Sequence, residues 1–321
     1  MPKSTLGIAS TSYMGVWRPK DTLEFLERCH ALGASGIQAG LHGDIAGEAE
    51  TRADIAKIRS RAERLEMYIE AMVPLPNGDD TTAFEQSLKD AQTAGAVALR
   101  AACLGTRRYE SFASPAEWQA HVAKSYRSIA AALPLLEHYK IPMGLENHKD
   151  WTLDEMLTLL RNHQSEYLGV CLDFGNNLAL LDDPVETIER LAPYTVTTHL
   201  KNMGVEVTTD GFLLSEVSLG EGYLDLAELT KIVKQARPQA RFVLEMITRD
   251  PLPVPCLTDR YWASFPDRNG AYLARTLRFV QENMSMRSLP RISCLSYEEQ
   301  LRVEEQNVAT CMRYAREHLD L

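Results

Sequence analysis

No run of this 321-residue chain is long and apolar enough to span a bilayer, and no tract is of low complexity. The opening Met1-Pro2-Lys3-Ser4 lacks the apolar core of a secretory signal, so the expected compartment is the cytoplasm. The six cysteines (Cys29, Cys103, Cys171, Cys256, Cys294 and Cys311) form no CxxC pair, which argues against a zinc ribbon or a disulfide scaffold. Positive charge is also short: 34 Lys and Arg face 44 Asp and Glu, a formal net charge of −10. That balance disfavours a phosphate backbone as partner. Neither nucleic acid nor membrane is expected, although a local cationic pocket for a small anion stays open.

What is present reads as an α/β enzyme. Hydrophobic residues make up 45% and charged residues 24%, enough for a substantial soluble core. Short β-like runs alternate with amphipathic stretches, the pattern of a parallel sheet. The strands are expected at Leu6–Ser12, Gly36–Ala39, Tyr68–Met72, Ala96–Leu104, Pro142–Glu146, Gly169–Asp173, Val196–Leu200 and Arg241–Met246. Helices are expected at Asp21–Leu32, Glu48–Leu65, Ala83–Ala94, Pro115–Tyr139, Leu153–Asn162, Pro184–Leu191, Leu226–Gln235 and Asn269–Glu282. Eight such pairs close most simply into a (β/α)8 TIM barrel, which leaves no sheet edge. The barrel is assigned to residues 1–286 and a C-terminal helical extension to 287–321. Within the extension, Tyr297–His318 is expected as a charged helix that either caps the barrel or forms the arm of a homo-oligomer. Val205–Leu219 reads as a hairpin around Asp210-Gly211. The segment Asp250–Asp267 holds four prolines, too many breakers for a helix, and should lie over the barrel mouth.

The informative residues end strands five to eight: Glu146, Asp173, His199 and Glu245. Strand C-termini form the catalytic face of such a barrel, and alternation turns all four inward. Three carboxylates converging there would repel one another unless a cation intervened. One divalent metal ion resolves the conflict. Three carboxylates and one imidazole suit Mn2+ or Mg2+, with Zn2+ or Co2+ also compatible.

Other polar residues surround this set. Lys201 shares the strand parity of His199, and would either engage a substrate oxygen or anion or pair with a ligand carboxylate. His148 shares the parity of Glu146 and is read as a substrate contact or as loop packing. Glu221, between Gly220 and Gly222, would touch a substrate hydroxyl or be solvated. Arg100, Arg249 and Arg260 are candidates for anion binding or for structural pairing. Glu70 would be a substrate ligand or an ion-pair partner. Trp17, Tyr261 and Trp262 would wall the pocket or pack the core. Thr152 and Glu155 form a capping box.

The strings Glu146-Asn147-His148, Asp173-Phe174-Gly175-Asn176, His199-Leu200-Lys201-Asn202, Gly220-Glu221-Gly222 and Glu245 resemble the xylose isomerase-like barrel superfamily, and within it the sugar-phosphate isomerase/epimerase group. The resemblance spans about Leu6 to Glu282. It implies that the four residues bind one divalent metal and that Glu146 and Glu245 also serve as the acid/base pair; Lys201, from its position beside them, is counted with the catalytic residues. The implied function is a metal-dependent sugar or sugar-phosphate isomerase or epimerase working through a metal-stabilised enediolate. The chain departs from the ketose 3-epimerase pattern at Asn176, where that pattern has histidine, and at Val205, where it has arginine. A lyase or decarboxylase of an oxo sugar acid is therefore the alternative, and a non-catalytic sugar-binding barrel the second. In each case the partner is a small carbohydrate or sugar acid.

Overall fold

The computed structural model describes residues 6–41, 51–285 and 287–321. Eight parallel strands form one sheet: β1 (Leu6–Ala9), β2 (Gly36–Gly40), β3 (Tyr68–Met72), β4 (Ala98–Ala101), β5 (Met143–Glu146), β6 (Leu168–Asp173), β7 (Thr195–His199) and, after an antiparallel hairpin of β8 (Asn202–Thr208) and β9 (Gly211–Val217), β10 (Phe242–Leu244). Neighbours follow chain order from β1 to β7, and β10 pairs with β1. The circle closes just beyond the end of β7, against β10. There Leu200 N donates to Val243 O at 2.7 Å, and Glu245 N donates to Leu200 O at 3.0 Å. Below that point the Thr198 hydroxyl replaces main-chain pairing, accepting from Val243 N and donating to Arg241 O, each at 3.3 Å.

The strands are short and almost wholly buried because helices cover one face and the barrel interior the other. Most of the helices start where a short polar side chain holds an otherwise unpaired N–H. Asp21, Thr51, Ser114, Thr152, Asp183, Asp225 and Ser296 all accept from the third residue beyond them. The capping box of Thr152 and Glu155 forms as expected. The second helix begins at Arg52, and its expected start at Glu48 lies outside the described residues.

The hairpin starts at Asn202 and ends at Val217, shifted toward the N-terminus from the expected Val205–Leu219, and acquires a third strand. Residues Leu252–Val254 make β11, antiparallel to β9. The Pro-rich segment tolerates this because Leu252 and Val254 face inward while Pro253 sits exposed on an edge strand, where no N–H is demanded. The same segment contains one helical turn, Asp259–Trp262, despite its prolines. Gly211 turns the hairpin with φ at 147°, and a β-carbon there would collide with the main chain at Val254 and Cys256.

The C-terminal helix, Tyr297–His318, lies against the barrel. Val308, Cys311, Met312 and Ala315 are buried at helical spacing along one side. Glu304 is buried on that side too, and accepts from Val16 N at 2.9 Å and Trp17 N at 2.7 Å. The helix thus caps the barrel and pins the loop that follows β1. Among the described residues, no helix is long and apolar enough to cross a membrane.

Candidate metal centre

β5, β6 and β7 end in Glu146, Asp173 and His199, and Glu245 directly follows β10. All four are buried, and each offers one ligand atom within 4.8 Å of the other three. His199 Nδ1 is the centre of the arrangement. It lies 3.6 Å from Glu146 Oε1, 3.7 Å from Asp173 Oδ2 and 3.5 Å from Glu245 Oε1. These separations are too long for hydrogen bonds, and Nδ1 has no hydrogen-bond partner. They approach the ligand-to-ligand spacing of roughly 3.0–3.4 Å around a divalent ion with bonds near 2.1 Å. A buried imidazole nitrogen turned toward three carboxylate oxygens fits a cation.

The orientation of that nitrogen is set one layer below. Glu70 Oε2 accepts from Gln38 Nε2 at 3.0 Å and from Thr197 Oγ1 at 2.6 Å. Gln38 has therefore committed its amide nitrogen, and its Oε1 faces His199 Nε2 at 2.7 Å. Nε2 donates to Gln38, and Nδ1 is the nitrogen left to face the centre, where a metal would take the place of its proton, the orientation that metal-binding histidines require. Burial raises the Glu70 carboxyl above its ordinary range, against the pull of Thr197 and Gln38.

Each carboxylate is steadied from outside. Glu146 Oε2 accepts from Arg100 Nε at 2.7 Å, and its Oε1 accepts from Asn176 Nδ2 at 3.0 Å. Asp173 Oδ1 accepts from the N–H groups of Gly175 and Asn176 at 2.9 and 2.8 Å. Glu245 Oε1 accepts from Thr11 Oγ1 at 2.8 Å. Lys201 Nζ sits 2.7 Å from Asp173 Oδ2 and also bonds Glu245 Oε2. Burial would raise the Glu146 carboxyl, but Arg100 and His199 outweigh it and hold it well below the ordinary range. Burial likewise opposes ionisation of Glu245, and His199 with Lys201 reverses the balance downward. Lys201 is displaced upward against its burial by Asp173 and Glu245. His199 is raised well above the usual histidine range, against burial, by Cys171, Glu245 and Glu146, so the cluster attracts positive charge at this nitrogen.

A sequence profile of the xylose isomerase-like TIM barrel family matches residues 26–273. This chain belongs to that family. Among relatives, it is 26% identical over 251 residues to a 3-oxo-isoapionate decarboxylase of Pectobacterium atrosepticum, covering 75% of this chain and 85% of the other. Two solved structures share the fold. One is a xylose isomerase-like TIM barrel protein from Mycobacterium smegmatis in complex with magnesium (TM-score 0.55, 17% identity, 85% of this chain and 99% of that one). The other is a 3-keto-D-glucoside 4-epimerase from E. coli (TM-score 0.59, 13% identity, 87% and 100%).

Within this xylose isomerase-like barrel, the remaining expected residues differ in burial and pairing. Near the centre, the neutral His148 has a buried Nδ1 without a partner, and burial pushes its imidazole down to about 4 despite Glu146. Arg249 lies further out, paired with Glu216 at 2.6 Å. Arg260 is exposed and donates to Glu110 O at 2.9 Å. Glu221 is exposed on the turn at the foot of the hairpin, beside a cavity of about 640 Å3 shared with Arg287 and Asn307. Tyr261 is core, its hydroxyl donating to Ala179 O at 2.8 Å, and Trp262 donates to Cys256 O. Trp17 packs edge-on against Tyr13. Sequence reasoning passed over Gln38, Thr11, Lys149 and Glu216. For Gln38 a signal existed: it is the one polar side chain in the strand Gly36-Ile37-Gln38-Ala39-Gly40.

Proposed function

We propose that this protein is a metal-dependent decarboxylase acting on a 3-oxo sugar acid, with Glu146, Asp173, His199 and Glu245 as the ligands of one divalent ion, Mn2+ or Mg2+ by donor type. The observation that carries this reading is the charge of the cluster. The carboxylates Glu146, Asp173, Glu245 and Glu216 are matched in number by Arg100, Lys149, Lys201 and Arg249. Once a metal takes the place of the His199 proton these eight charges cancel, so a divalent ion leaves a net positive site that an anionic substrate offsets better than a neutral sugar does.

A bound ion would supply Lewis acidity at the substrate carbonyl. The protein's share is electrostatic. Lys201, which its two carboxylate partners keep protonated, stabilises negative charge arising on a substrate oxygen. As the bond between the carboxylate carbon and its neighbour breaks, the electron pair moves toward the carbonyl oxygen and CO2 departs. A proton from solvent then fills the vacated position on carbon. Glu146 and Glu245 are poor bases because Arg100 and Lys201 hold them ionised, which weighs against a two-glutamate proton shuttle. The relative named for decarboxylation supports the same choice.

The test is to incubate the Mn2+-loaded protein with a 3-oxo sugar acid in deuterated water. Release of CO2 with one deuterium on the product carbon is expected. Deuterium uptake with the substrate mass otherwise conserved would point instead to an isomerase or epimerase. Neither change would leave a binding barrel.

A further inference from the structure

Among the described residues three Lys or Arg side chains are buried, Arg108, Lys149 and Lys201, and of these Lys149 alone lacks a carboxylate partner. Arg100 pairs with Glu146, Lys201 with Asp173 and Glu245, Arg108 with Glu155, and Arg268 with Asp182. Lys149, only 3% exposed, pairs with no carboxylate among the described residues. Its Nζ donates to the neutral Asn176 Oδ1 instead. A buried ammonium without a counter-ion is unfavourable and is usually relieved by pairing or by loss of its proton.

Asn176 ties this ammonium to the metal centre. Its amide nitrogen donates to Glu146 Oε1 at 3.0 Å, and its main-chain N–H donates to Asp173 Oδ1 at 2.8 Å. An anion resting on Lys149 would therefore be adjacent to the four-residue cluster. The groups acting on Lys149 are Lys201 and Arg249, which repel it, and Glu216 and Asp173, which attract it. Glu216 is already engaged by Arg249, and Asp173 by Lys201.

We infer that Lys149, held in place by Asn176, is an anion subsite that binds the carboxylate of a sugar acid. The inference rests on the proposed function for its ligand class but not for its chemistry, since binding needs no turnover. Burial beside Lys201 pushes the Lys149 ammonium down to about 8, and an incoming carboxylate would restore it. The geometry has a consequence for selectivity. A polyol of the same size but without a carboxylate leaves Lys149 as it stands, and so gains nothing from this contact.

The experiment is isothermal titration of the Mn2+-loaded, full-length protein with D-gluconate and with D-glucitol, neither of which can decarboxylate as a 3-oxo acid. The wild type is expected to prefer gluconate. In Lys149→Gln, gluconate affinity is expected to fall about tenfold or more, the scale of one charge-assisted contact, while affinities for glucitol and Mn2+ hold. Equal gluconate affinity in wild type and Lys149→Gln would overturn the inference. So would a wild type that binds glucitol as well as gluconate or fails to bind gluconate, a comparison that needs no variant to fold. Retained gluconate selectivity without CO2 release from any 3-oxo acid would sink the decarboxylase reading and leave the subsite standing.

Discussion

His199 Nε2 and Gln38 Oε1 meet at 2.7 Å, and this contact determines which imidazole nitrogen faces the three carboxylates. Gln38 is itself oriented by Glu70. Gln38→Leu should therefore release the ring without removing a ligand. Metal affinity is expected to weaken about 10–100-fold, the usual cost of losing such a partner. Competition with a metallochromic chelator would measure it, and an unchanged affinity would show that the ring is held by packing alone.

Lys201 separates chemistry from metal binding. It stands 2.7 Å from Asp173 Oδ2 and bonds Glu245, so its positive charge repels an incoming cation. Lys201→Met is expected to slow CO2 release by about a hundredfold or more, as loss of a buried electrostatic donor does. Metal affinity should stay level or tighten. Weaker metal binding in this variant would mean that Lys201 chiefly maintains the shape of the carboxylate cluster.

The last helix acts on the site through Glu304. It accepts two N–H groups of the loop after β1, and Thr11 at the start of that loop donates to Glu245. Glu304→Ala leaves both N–H groups buried without a partner, so a loss of about 2 kcal/mol or more of stability is expected. Urea unfolding checks this. A stability within error of wild type would show that water or the loop itself takes over the bonds.

Asp150 sets a pH dependence. It is buried with Oδ2 unpartnered, and burial raises its carboxyl to about 8, against a hydrogen bond from Trp151. The folded state then binds more protons than the unfolded state between about pH 4 and 8, so this group's contribution to stability falls as pH rises through that window. Asp150→Asn removes the titration. Its stability relative to wild type should improve by about 1 kcal/mol or more between pH 5 and pH 8, read from urea midpoints. A constant difference would place a counter-ion beside Asp150.

The parts of this fold that sequence made legible share one property: a local periodicity or a local turn residue. Apolar or β-branched runs ending in Glu146, Asp173 and His199 announce strands and their mouth-facing ends at once. Asp210-Gly211 announces the hairpin, and Thr152 with Glu155 starts the helix after β5. What stayed hidden depends on distant partners. Leu252-Pro253-Val254 becomes a strand only because β9 offers an edge. Arg260 and Glu221 sit on turns whose paths carry no period, so their distance from the barrel axis could not be read. Lys149 follows a string whose Glu-Asn-His drew the attention, and its meaning emerges only once every neighbouring cation is seen to have a carboxylate.

Metal stoichiometry tests the account most directly. The purified protein, stripped with a chelator and reloaded with Mn2+, should bind one equivalent per chain, and Asp173→Asn and His199→Gln should each lower that affinity by orders of magnitude while their circular dichroism matches wild type. Wild-type binding in either variant, or no stoichiometric binding in the intact protein, would contradict the assignment of these four side chains to a single ion.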